Sequence, residues 1–445
     1  MRRLAGINDM SDHKPNGVFR PNRREVMAGL AAATLQVPKR AVAAETPLAL
    51  RCREASLGLR ETGAATQIWS LGDQPLHFKR GDRRDVTLVN DLTVPVALNW
   101  RGLDGAAALE PLLARSQLAP LARDTFDLPL RDAGTYLCDA GLLGDGASRP
   151  IRALPLIVHE SEPVEVDRDE VLFIEGWRLK PDGTAIAPGT DPAGTQGIYT
   201  ANGLPLREIE FRRGERLRIR FINALQRRTI ALKMLYHRIT VMALDGQPAE
   251  PFMALNGAFT LAPGGRADVF VDVAQDSGNT PILMHDGEAV HLIGRMVLSE
   301  ETPIRSQTLP PPSALPSNGL PARLDLKNAL RVDLPFGDEQ KNWLRPDSFT
   351  PTAPPVFRAK AGRTVVLSLI NRAKVTVVIH VHGHHFRLLD RLDDGWKPFW
   401  ADTIAIDAGQ TLRVAFAAEY AGHWLIEAAE TNWSAPKLLR WFSVE

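Results

Sequence analysis

The amino-acid sequence predicts an all-β protein built from three similar β-sandwich units, and two observations favour this fold class. Glycine and proline are plentiful, at 34 and 33 of 445 residues, and apolar runs are short, which is typical of many short strands joined by turns. One segment also recurs three times, in which a turn glycine leads into an alternating strand that ends in asparagine. The three copies run from Gly81 to Asn90, from Gly214 to Asn223 and from Gly362 to Asn371.

Each repeated strand is expected to bury one face and to end where the short asparagine amide can bond to the backbone of a turn. A turn followed by an aromatic strand recurs as well, at 133–137 and 421–425. The copies define units of roughly 115 to 140 residues, which is the size of one sandwich each. The predicted units are 45–160, 161–302 and 318–445, with a proline-rich linker at 303–317.

Residues 1–44 are predicted to be a targeting segment rather than part of the fold. Asn22-Arg23-Arg24-Glu25 is similar to a twin-arginine export motif, and a weakly apolar stretch follows it. Ala41-Val42-Ala43 is the expected cleavage site, with Ala44 as the alternative. Export by this route predicts a periplasmic protein, and a basic disordered arm is the competing interpretation. Arg2-Arg3 is a weaker twin-arginine candidate, and the true start is Met1 or Met10.

The charge balance excludes some classes of partner. Basic and acidic residues number 53 and 52, so nothing favours nucleic acid or an anionic membrane surface as the main partner. No apolar stretch reaches the roughly 20 residues that a spanning helix needs. Cys52 and Cys138 are the two cysteines, and the periplasm would permit a disulfide between them, with two unpaired structural thiols as the alternative.

The chemistry of the chain is concentrated in a histidine-rich segment near the C-terminus. Residues 379–386 read Ile-His-Val-His-Gly-His-His-Phe, and alternation along a strand would place His380, His382 and His384 on one face. Neutral imidazoles suit copper, zinc and iron. A second segment, 420–430, follows about forty residues later, and in it a turn at Gly422 precedes a strand that contains Trp424.

This pair of segments resembles the C-terminal domain of the multicopper oxidases, and the three-unit plan of the whole chain is similar to theirs. The resemblance implies three cupredoxin-like Greek-key β-sandwich domains. It also implies ligand positions that can be compared residue by residue. Two positions of the trinuclear copper cluster keep their imidazole, namely His380 and His382. The degenerate ligand positions, where the family has a copper ligand and this chain does not, are Asn99, Arg101, Asp139, Gly141, Val377, Glu427, Ala428, Ala429 and Trp433.

These replacements predict the loss of oxidase turnover. A blue-copper site needs a thiolate and two imidazoles, and the corresponding positions hold Ala428, Val377 and Trp433. The expected cofactor is therefore none, with weak or sub-stoichiometric copper as the alternative. Arg101 is expected to pair with Asp139 or Glu427, because a guanidinium between carboxylates can substitute for a metal cation.

The functional expectation is a non-catalytic exported scaffold or binding protein whose partners are unidentified periplasmic or envelope proteins. The resemblance extends to the copper-free cell-division protein of the bacterial periplasm, which implies a role in cell division or envelope integrity. Two alternatives stay open. One is a copper-binding oxidoreductase with a reduced copper or zinc site on His380 and His382, completed by Glu427 or Asp139; the other is a periplasmic metal-binding module.

Overall fold

The computed structural model describes residues 47–445 apart from 61, 275–277, 308, 338–341, 391–394 and 396. The predicted targeting segment, with its twin-arginine motif and the two start sites, lies outside the described residues. The fold is nearly all-β, as the sequence predicts. Three short 3-10 helices span Ala107–Leu109, Leu255–Gly257 and Pro346–Ser348, and no helix of the described chain is long and apolar enough to cross a membrane.

The first sandwich contains strands β1 to β9. They span Leu48–Leu57, Thr66–Ser70, Leu76–Lys79, Arg83–Asn90, Asn99–Arg101, Arg123–Pro129, Gly134–Asp139, Ile151–Arg152 and Leu154–His159. Its two sheets have the strand orders β6-β4-β1-β2-β8 and β3-β9-β7-β5.

The second sandwich contains strands β10 to β20. They span Arg168–Leu179, Gln196–Ala201, Arg207–Phe211, Arg216–Asn223, Ile230–Met234, Arg238–Leu244, Gln247–Met253, Ala258–Leu261, Arg266–Asp272, Thr280–His285 and Val290–Leu298. The strand orders are β11-β10-β13-β18-β15-β16 and β12-β20-β19-β14-β17.

The third sandwich contains strands β21 to β29. They span Leu330–Phe336, Arg358–Ala359, Arg363–Asn371, Val377–Val381, Arg387–Leu388, Thr403–Ile406, Thr411–Ala418, Gly422–Glu430 and Leu438–Val444. The strand orders are β21-β23-β27-β25 and β22-β29-β28-β24-β26.

One connection plan is used three times. In each sandwich the first long strand runs parallel to the strand that ends in asparagine, in the pairs β1/β4, β10/β13 and β21/β23. The last strand is also parallel to an earlier one in the other sheet, in the pairs β3/β9, β12/β20 and β22/β29. Each copy of the sequence repeat therefore forms the same kind of crossover, in which two strands that are not consecutive in the chain become neighbours in a sheet.

The three strand-ending asparagines make the hydrogen bonds that the sequence predicts. Asn371 is buried, its Nδ2 donates to the carbonyl oxygens of Val375 and Ile406 at 2.9 and 2.8 Å, and its Oδ1 accepts from the Ala373 N–H at 2.9 Å. Asn90 and Asn223 repeat this pattern in the other two sandwiches. Each asparagine therefore ties the end of its strand to two neighbouring turns.

Each sandwich has its own apolar core between its two sheets. Cys52 and Cys138 are both buried in the core of the first sandwich, and both are free thiols rather than a disulfide. Burial, with a smaller contribution from Asp91, raises the pKa of the Cys52 thiol to about 12. Both cysteines consequently act as small apolar core residues, which was one of the two sequence interpretations.

The linker predicted at 303–317 has no strand among its described residues and runs along the second sandwich. Leu315 packs against Met242 and Phe270, and the Pro310 carbonyl accepts a hydrogen bond from Arg216. Asn318 follows the linker and donates to the Ala133 carbonyl at 2.9 Å. The segment is therefore held to the second sandwich at Pro310 and Leu315.

Two turns meet at the seam between the first and second sandwiches. Gly134 begins β7, and Gly246, with φ of 87°, lies in the turn between β15 and β16. A methyl group on Gly134 would overlap the Gly246 carbonyl oxygen, and one on Gly246 would lie 2.6 Å from the ring of Tyr136. Both positions require glycine, since the two backbones are in direct contact.

Candidate functional site

The histidine-rich segment lies where the third sandwich meets the first. His380 is on β24, opposite Glu427 on β28, and Asn99 and Arg101 approach from β5 of the first sandwich. The rings of His380 and His382 are 4.8 Å apart between centroids. The site is therefore built from two sandwiches, and neither one alone contains all of its side chains.

The expectation of one shared face is wrong for His384. The strand ends at Val381, and Gly383 adopts a φ of 65°, so the chain turns before it reaches His384. The His384 ring instead packs among Phe416, Trp424 and other aromatic rings. Burial lowers the pKa of His384 to about 4, which keeps it neutral and structural.

Glu427 is the centre of the site and is almost completely buried. Its Oε1 accepts from Asn99 Nδ2 and lies 2.8 Å from both that atom and His382 Nε2, and its Oε2 accepts from Arg101 Nη2 at 2.7 Å. Lys437 Nζ is 3.5 Å from the same Oε2. Burial alone would raise the pKa of Glu427, but Arg101, Lys437 and His382 hold it well below its usual range, so the carboxylate is ionised.

His382 is clamped between two carboxylates. Its Nδ1 is 2.7 Å from Glu110 Oε1, and its Nε2 is 2.8 Å from Glu427 Oε1. Burial would lower the pKa of His382, but Glu110 and Glu427 together raise it to about 9. The ring is therefore an imidazolium whose two N–H groups each donate to a carboxylate, and such a ring has no lone pair for a metal ion.

His380 has the opposite character although it is only two residues away. Its Nδ1 is 3.0 Å from Thr403 Oγ1 and 3.2 Å from the Asp402 carbonyl oxygen. Burial, followed by the charge of Arg101, lowers the pKa of His380 to about 3. His380 is consequently a neutral, hydrogen-bonded strand histidine.

The remaining sequence-predicted positions are either apolar residues of the third sandwich or polar residues near Arg101. Val377 and Ala428 are buried in the apolar core of the third sandwich, while Ala429 lies half-buried beside them on β28. Burial would lower the pKa of Arg101, and the charges of Glu427 and Asp139 raise it, but Asp139 makes no hydrogen bond to the guanidinium. Its Oδ1 accepts the Gly141 backbone N–H at 2.7 Å instead. Arg101 pairs with Glu427, one of the two carboxylates expected for it.

Trp433, the last of these positions, lies away from the Glu427 cluster. Its indole N–H donates to the Ala187 carbonyl at 3.1 Å, and the Arg178 guanidinium lies 5.5 Å from the centre of its ring. It is thus part of the contact between the third and second sandwiches.

A second ionic cluster adjoins the first and was not found from the sequence. His385 Nδ1 is 2.8 Å from Asp104 Oδ2, and its Nε2 is 2.8 Å from the Asp245 carbonyl oxygen. Burial would lower the pKa of His385, but Asp104 and Asp402 raise it to about 9. Arg266 is fully buried and donates to Asp402 at 2.6 Å. These residues come from all three sandwiches, so their proximity depends on the assembled fold.

Comparison with known proteins identifies the family. Models described as multicopper oxidase match residues 161–301 and 323–444. The multicopper oxidase MmcO of Mycobacterium tuberculosis is 24% identical over 402 residues, which cover 78% of this chain and 76% of MmcO. Laccase-3 of Thanatephorus cucumeris is 26% identical over 246 residues, covering 45% of this chain and 40% of the laccase.

Solved structures agree with this fold. A multicopper oxidase from Pseudomonas thermotolerans superposes with a TM-score of 0.76 at 24% identity, covering 90% of this chain and 99% of that one. Lac15 from a marine microbial metagenome gives a TM-score of 0.74 at 24% identity, with 90% and 100% covered. The chain belongs to the multicopper oxidase superfamily, and it is laccase-like.

The residues of the site do not fit the copper ions that the family implies. Within the part of the chain that the structure describes, no three His, Cys, Asp or Glu side chains are grouped so as to hold a metal ion. Arg101 and Lys437 bring two cations to Glu427, and His382 is protonated on both ring nitrogens. Cations and imidazolium rings repel a metal ion rather than coordinate it.

Proposed function

We propose that this protein is an exported, non-catalytic member of the multicopper oxidase superfamily that serves the periplasm or cell envelope as a scaffold or binding protein. An ionic cluster takes the place of the copper ions in holding the first and third sandwiches together. Cell division and envelope integrity are the settings in which such a scaffold would act.

The clamp of His382 between Glu110 and Glu427 is the observation that carries the proposal. Both ring nitrogens are engaged at 2.7 and 2.8 Å, and Glu427 is also bound to Arg101. A metal ion would have to displace two ion pairs and remove a proton from a ring whose pKa is about 9. The loss of these buried pairs would oppose metal binding.

The positions where the family holds its blue-copper ion also support the absence of copper chemistry. Val377 and Ala428 belong to a close-packed apolar core, and Leu438 packs there as well. A blue-copper site requires a thiolate and imidazoles from these elements. Cys138 offers no replacement, because it is buried in the core of the first sandwich.

The metal content of the purified protein tests the proposal. The protein should be prepared from copper-supplemented cells and dialysed, and its copper and zinc should be measured by elemental analysis beside the visible and electron paramagnetic resonance spectra. We expect far less than one metal ion per chain and no blue band. One or more tightly held copper ions per chain would contradict the proposal and favour the copper-binding oxidoreductase.

Weak copper binding would require a matched comparison. His382→Gln removes the clamped ring, whereas His423→Gln removes an exposed histidine on β28. Weak binding that disappears only in His423→Gln would be adventitious surface binding. Weak, exchangeable copper that disappears only in His382→Gln would support the metal-binding module instead of the scaffold.

Export is tested separately from metal content. Replacing Arg23 and Arg24 with lysine should retain the protein in the cytoplasm, because the twin-arginine pathway reads that pair. Replacing Arg2 and Arg3 in the same way is the control and should leave export unchanged. Cell fractionation and immunoblotting give the distribution, and periplasmic accumulation of the Arg23/Arg24 variant would refute the predicted route.

A further inference from the structure

Two histidines meet at an edge of the first sandwich. His77 lies on the edge strand β3, and His159 lies at the end of the neighbouring parallel strand β9. His77 is opposite Ile157 in the register of these strands, so His159 lies two residues further along on the same face of the sheet. The two side chains meet there, with His77 Nδ1 3.1 Å from His159 Nε2.

The pair is open to solvent where the first sandwich meets the second. His77 is exposed, and 38% of the His159 side chain is exposed as well. The second sandwich contributes Asp169 from β10, whose Oδ2 lies 4.0 Å from His159 Nδ1. A dissolved ion can therefore reach the two rings without any opening of an apolar core.

The hydrogen bond between the rings requires a lone pair on one of the two facing nitrogens. Asp169 lies on the Nδ1 side of His159, which favours a proton on that atom and leaves the Nε2 lone pair directed at His77. Burial, followed by the charge of Arg220, lowers the pKa of both rings, so both are neutral at neutral pH. The neutral imidazole is the form of histidine that binds metal ions.

The spacing of the facing nitrogens is close to that of two ligands on one metal ion. Ligand bonds of about 2.0 to 2.1 Å at a tetrahedral angle would place the nitrogens about 3.3 Å apart. Small rotations of the two rings would reach this separation from the observed 3.1 Å, with the His77 proton carried on Nε2. Arg220 does not oppose a bound cation strongly, because it is paired with Asp169 at 2.7 Å and with Asp268 at 3.2 Å.

We propose that His77 and His159 form a surface site for one exchangeable divalent transition-metal ion, with Cu²⁺ bound more tightly than Zn²⁺. His77 Nδ1 and His159 Nε2 would be the two protein ligands, and water would fill the remaining positions. Imidazole nitrogens suit both ions, and the general order of affinities favours Cu²⁺. Asp169 would orient His159, as a carboxylate behind a ligating ring does.

This site is distinct from the Glu427 cluster and goes beyond the proposed scaffold role. Strand β3 forms one edge of a four-stranded sheet, and β5, which carries Asn99 and Arg101, forms the opposite edge. The two edges are separated by three strand spacings, or about 14 Å. An ion with only two protein ligands would be removed by dialysis, so the metal content expected of the dialysed protein is unchanged.

Metal titration of the chelator-treated, full-length mature protein tests this inference. Isothermal titration calorimetry with Cu²⁺ and with Zn²⁺ gives the affinity and the stoichiometry. Electron paramagnetic resonance of the Cu²⁺-loaded protein reports the coordinated nitrogens. We expect one ion per chain, two imidazole nitrogens on Cu²⁺ and weaker binding of Zn²⁺.

Variants locate the binding. His77→Gln and His159→Gln should each weaken Cu²⁺ binding at least about tenfold, since the loss of even an outer partner of a ligand costs that much. His423→Gln, at an exposed histidine of β28, is the control and should keep the wild-type affinity.

Three results would overturn the proposal. They are no binding of either ion at millimolar concentration, a Cu²⁺ spectrum without coordinated nitrogen, and wild-type affinity in both His77→Gln and His159→Gln. Binding that is lost only in His382→Gln would also overturn it and would support the metal-binding module instead. The scaffold proposal is judged by tightly held metal and this one by exchangeable metal, so the two can fail separately.

Discussion

At the scale of single residues, Glu427 explains why several polar side chains are buried together. It accepts hydrogen bonds from Asn99 and Arg101 of the first sandwich and contacts His382 and Lys437 of the third. A buried carboxylate is tolerated only when its charge is matched by partners at close range. The charge of this buried carboxylate is therefore matched by cations from both sandwiches.

Breaking the Arg101–Glu427 pair should destabilise the protein. Arg101→Met leaves the buried carboxylate with fewer partners, and we expect a loss of about 3 kcal/mol in the free energy of unfolding. Urea denaturation of the purified protein measures this loss.

The matched control is a surface ion pair. Arg51 pairs with Asp91 while 56% of its side chain is exposed, so Arg51→Met should cost less than about 1 kcal/mol. The double variant Arg101→Met/Glu427→Met should lose less stability than the sum of the two single variants, because each single change leaves one charge of the pair without its partner. An unchanged free energy of unfolding in Arg101→Met would show that the pair does not support the interface.

His385 should give the protein a characteristic pH dependence. Its folded pKa of about 9 lies above the unfolded value near 6.5, so the folded state binds more protons between these two values. Its stabilisation is fully present below pH 6.5 and is lost as the pH rises through 9. In His385→Gln, the decline in unfolding free energy over this window should become shallower by about 1.4 kcal/mol per pH unit.

Urea melts at several pH values between 6 and 9.5 measure this slope. His423→Gln changes an exposed histidine and should keep the wild-type pH profile. An identical slope in wild type and His385→Gln would mean that the ion pair with Asp104 does not hold the proton.

At the scale of elements, the three asparagines at the ends of β4, β13 and β23 are equivalent joints. Asn371→Ala removes three hydrogen bonds and leaves the buried carbonyl of Ile406 without this donor, so we expect a loss of about 2 to 4 kcal/mol. Asn328→Ala, in an exposed turn, should cost less than about 1 kcal/mol. Equal stabilities of the two variants, measured in urea, would contradict the role of the repeat.

The strands and their asparagine joints were predictable because the information is local. A turn glycine, an alternating strand and a terminal asparagine act within ten or so residues of each other. His384 shows the limit of this reasoning. The residue spacing of His382 and His384 fits an alternating strand, but the strand ends at Val381, and the turn at Gly383 directs the His384 ring into an aromatic cluster.

At the scale of the whole molecule, buried arginines connect the sandwiches. Arg218 pairs with Asp268 and Glu160, and Arg220 pairs with Asp268 and Asp169. Thr135 of the first sandwich donates to the same Asp268 at 2.6 Å. The seam between the first two sandwiches therefore contains a charged network beside apolar contacts such as those of Leu137 with Phe173 and Ile222.

Arg266 should couple all three sandwiches in unfolding. It donates to the Thr135 carbonyl, the Asp245 carbonyl and the Asp402 carboxylate. We expect Arg266→Met to broaden or split the calorimetric transition, so that the calorimetric enthalpy exceeds the van't Hoff enthalpy. Arg295→Met, at an exposed position on β20, is the control. A single sharp transition in Arg266→Met would show that cooperativity arises elsewhere.

The candidate site was predictable only in part, because sequence motifs carry local information and several contacts of the site are between distant parts of the chain. The positions of Arg101, His382 and Glu427 follow from motifs, and their mutual contact agrees with the expectation for Arg101. Glu110 and Asp104 belong to no motif and reach the histidines only when the first and third sandwiches assemble. Asp402 also belongs to no motif, and it reaches His380 through the pairing of β24 with β26 within the third sandwich. No local pattern in the sequence carries that information.

The contact between Gly134 and Gly246 has a mechanical consequence. Where side chains separate two domains, changes of rotamer allow the domains to shift relative to each other. Here the two backbones touch directly, with no side chain between them. Close-packed interfaces transmit displacement instead of absorbing it. A pull applied to the first sandwich should therefore reach the second almost undamped, and these two sandwiches would bear load together as one stiff unit.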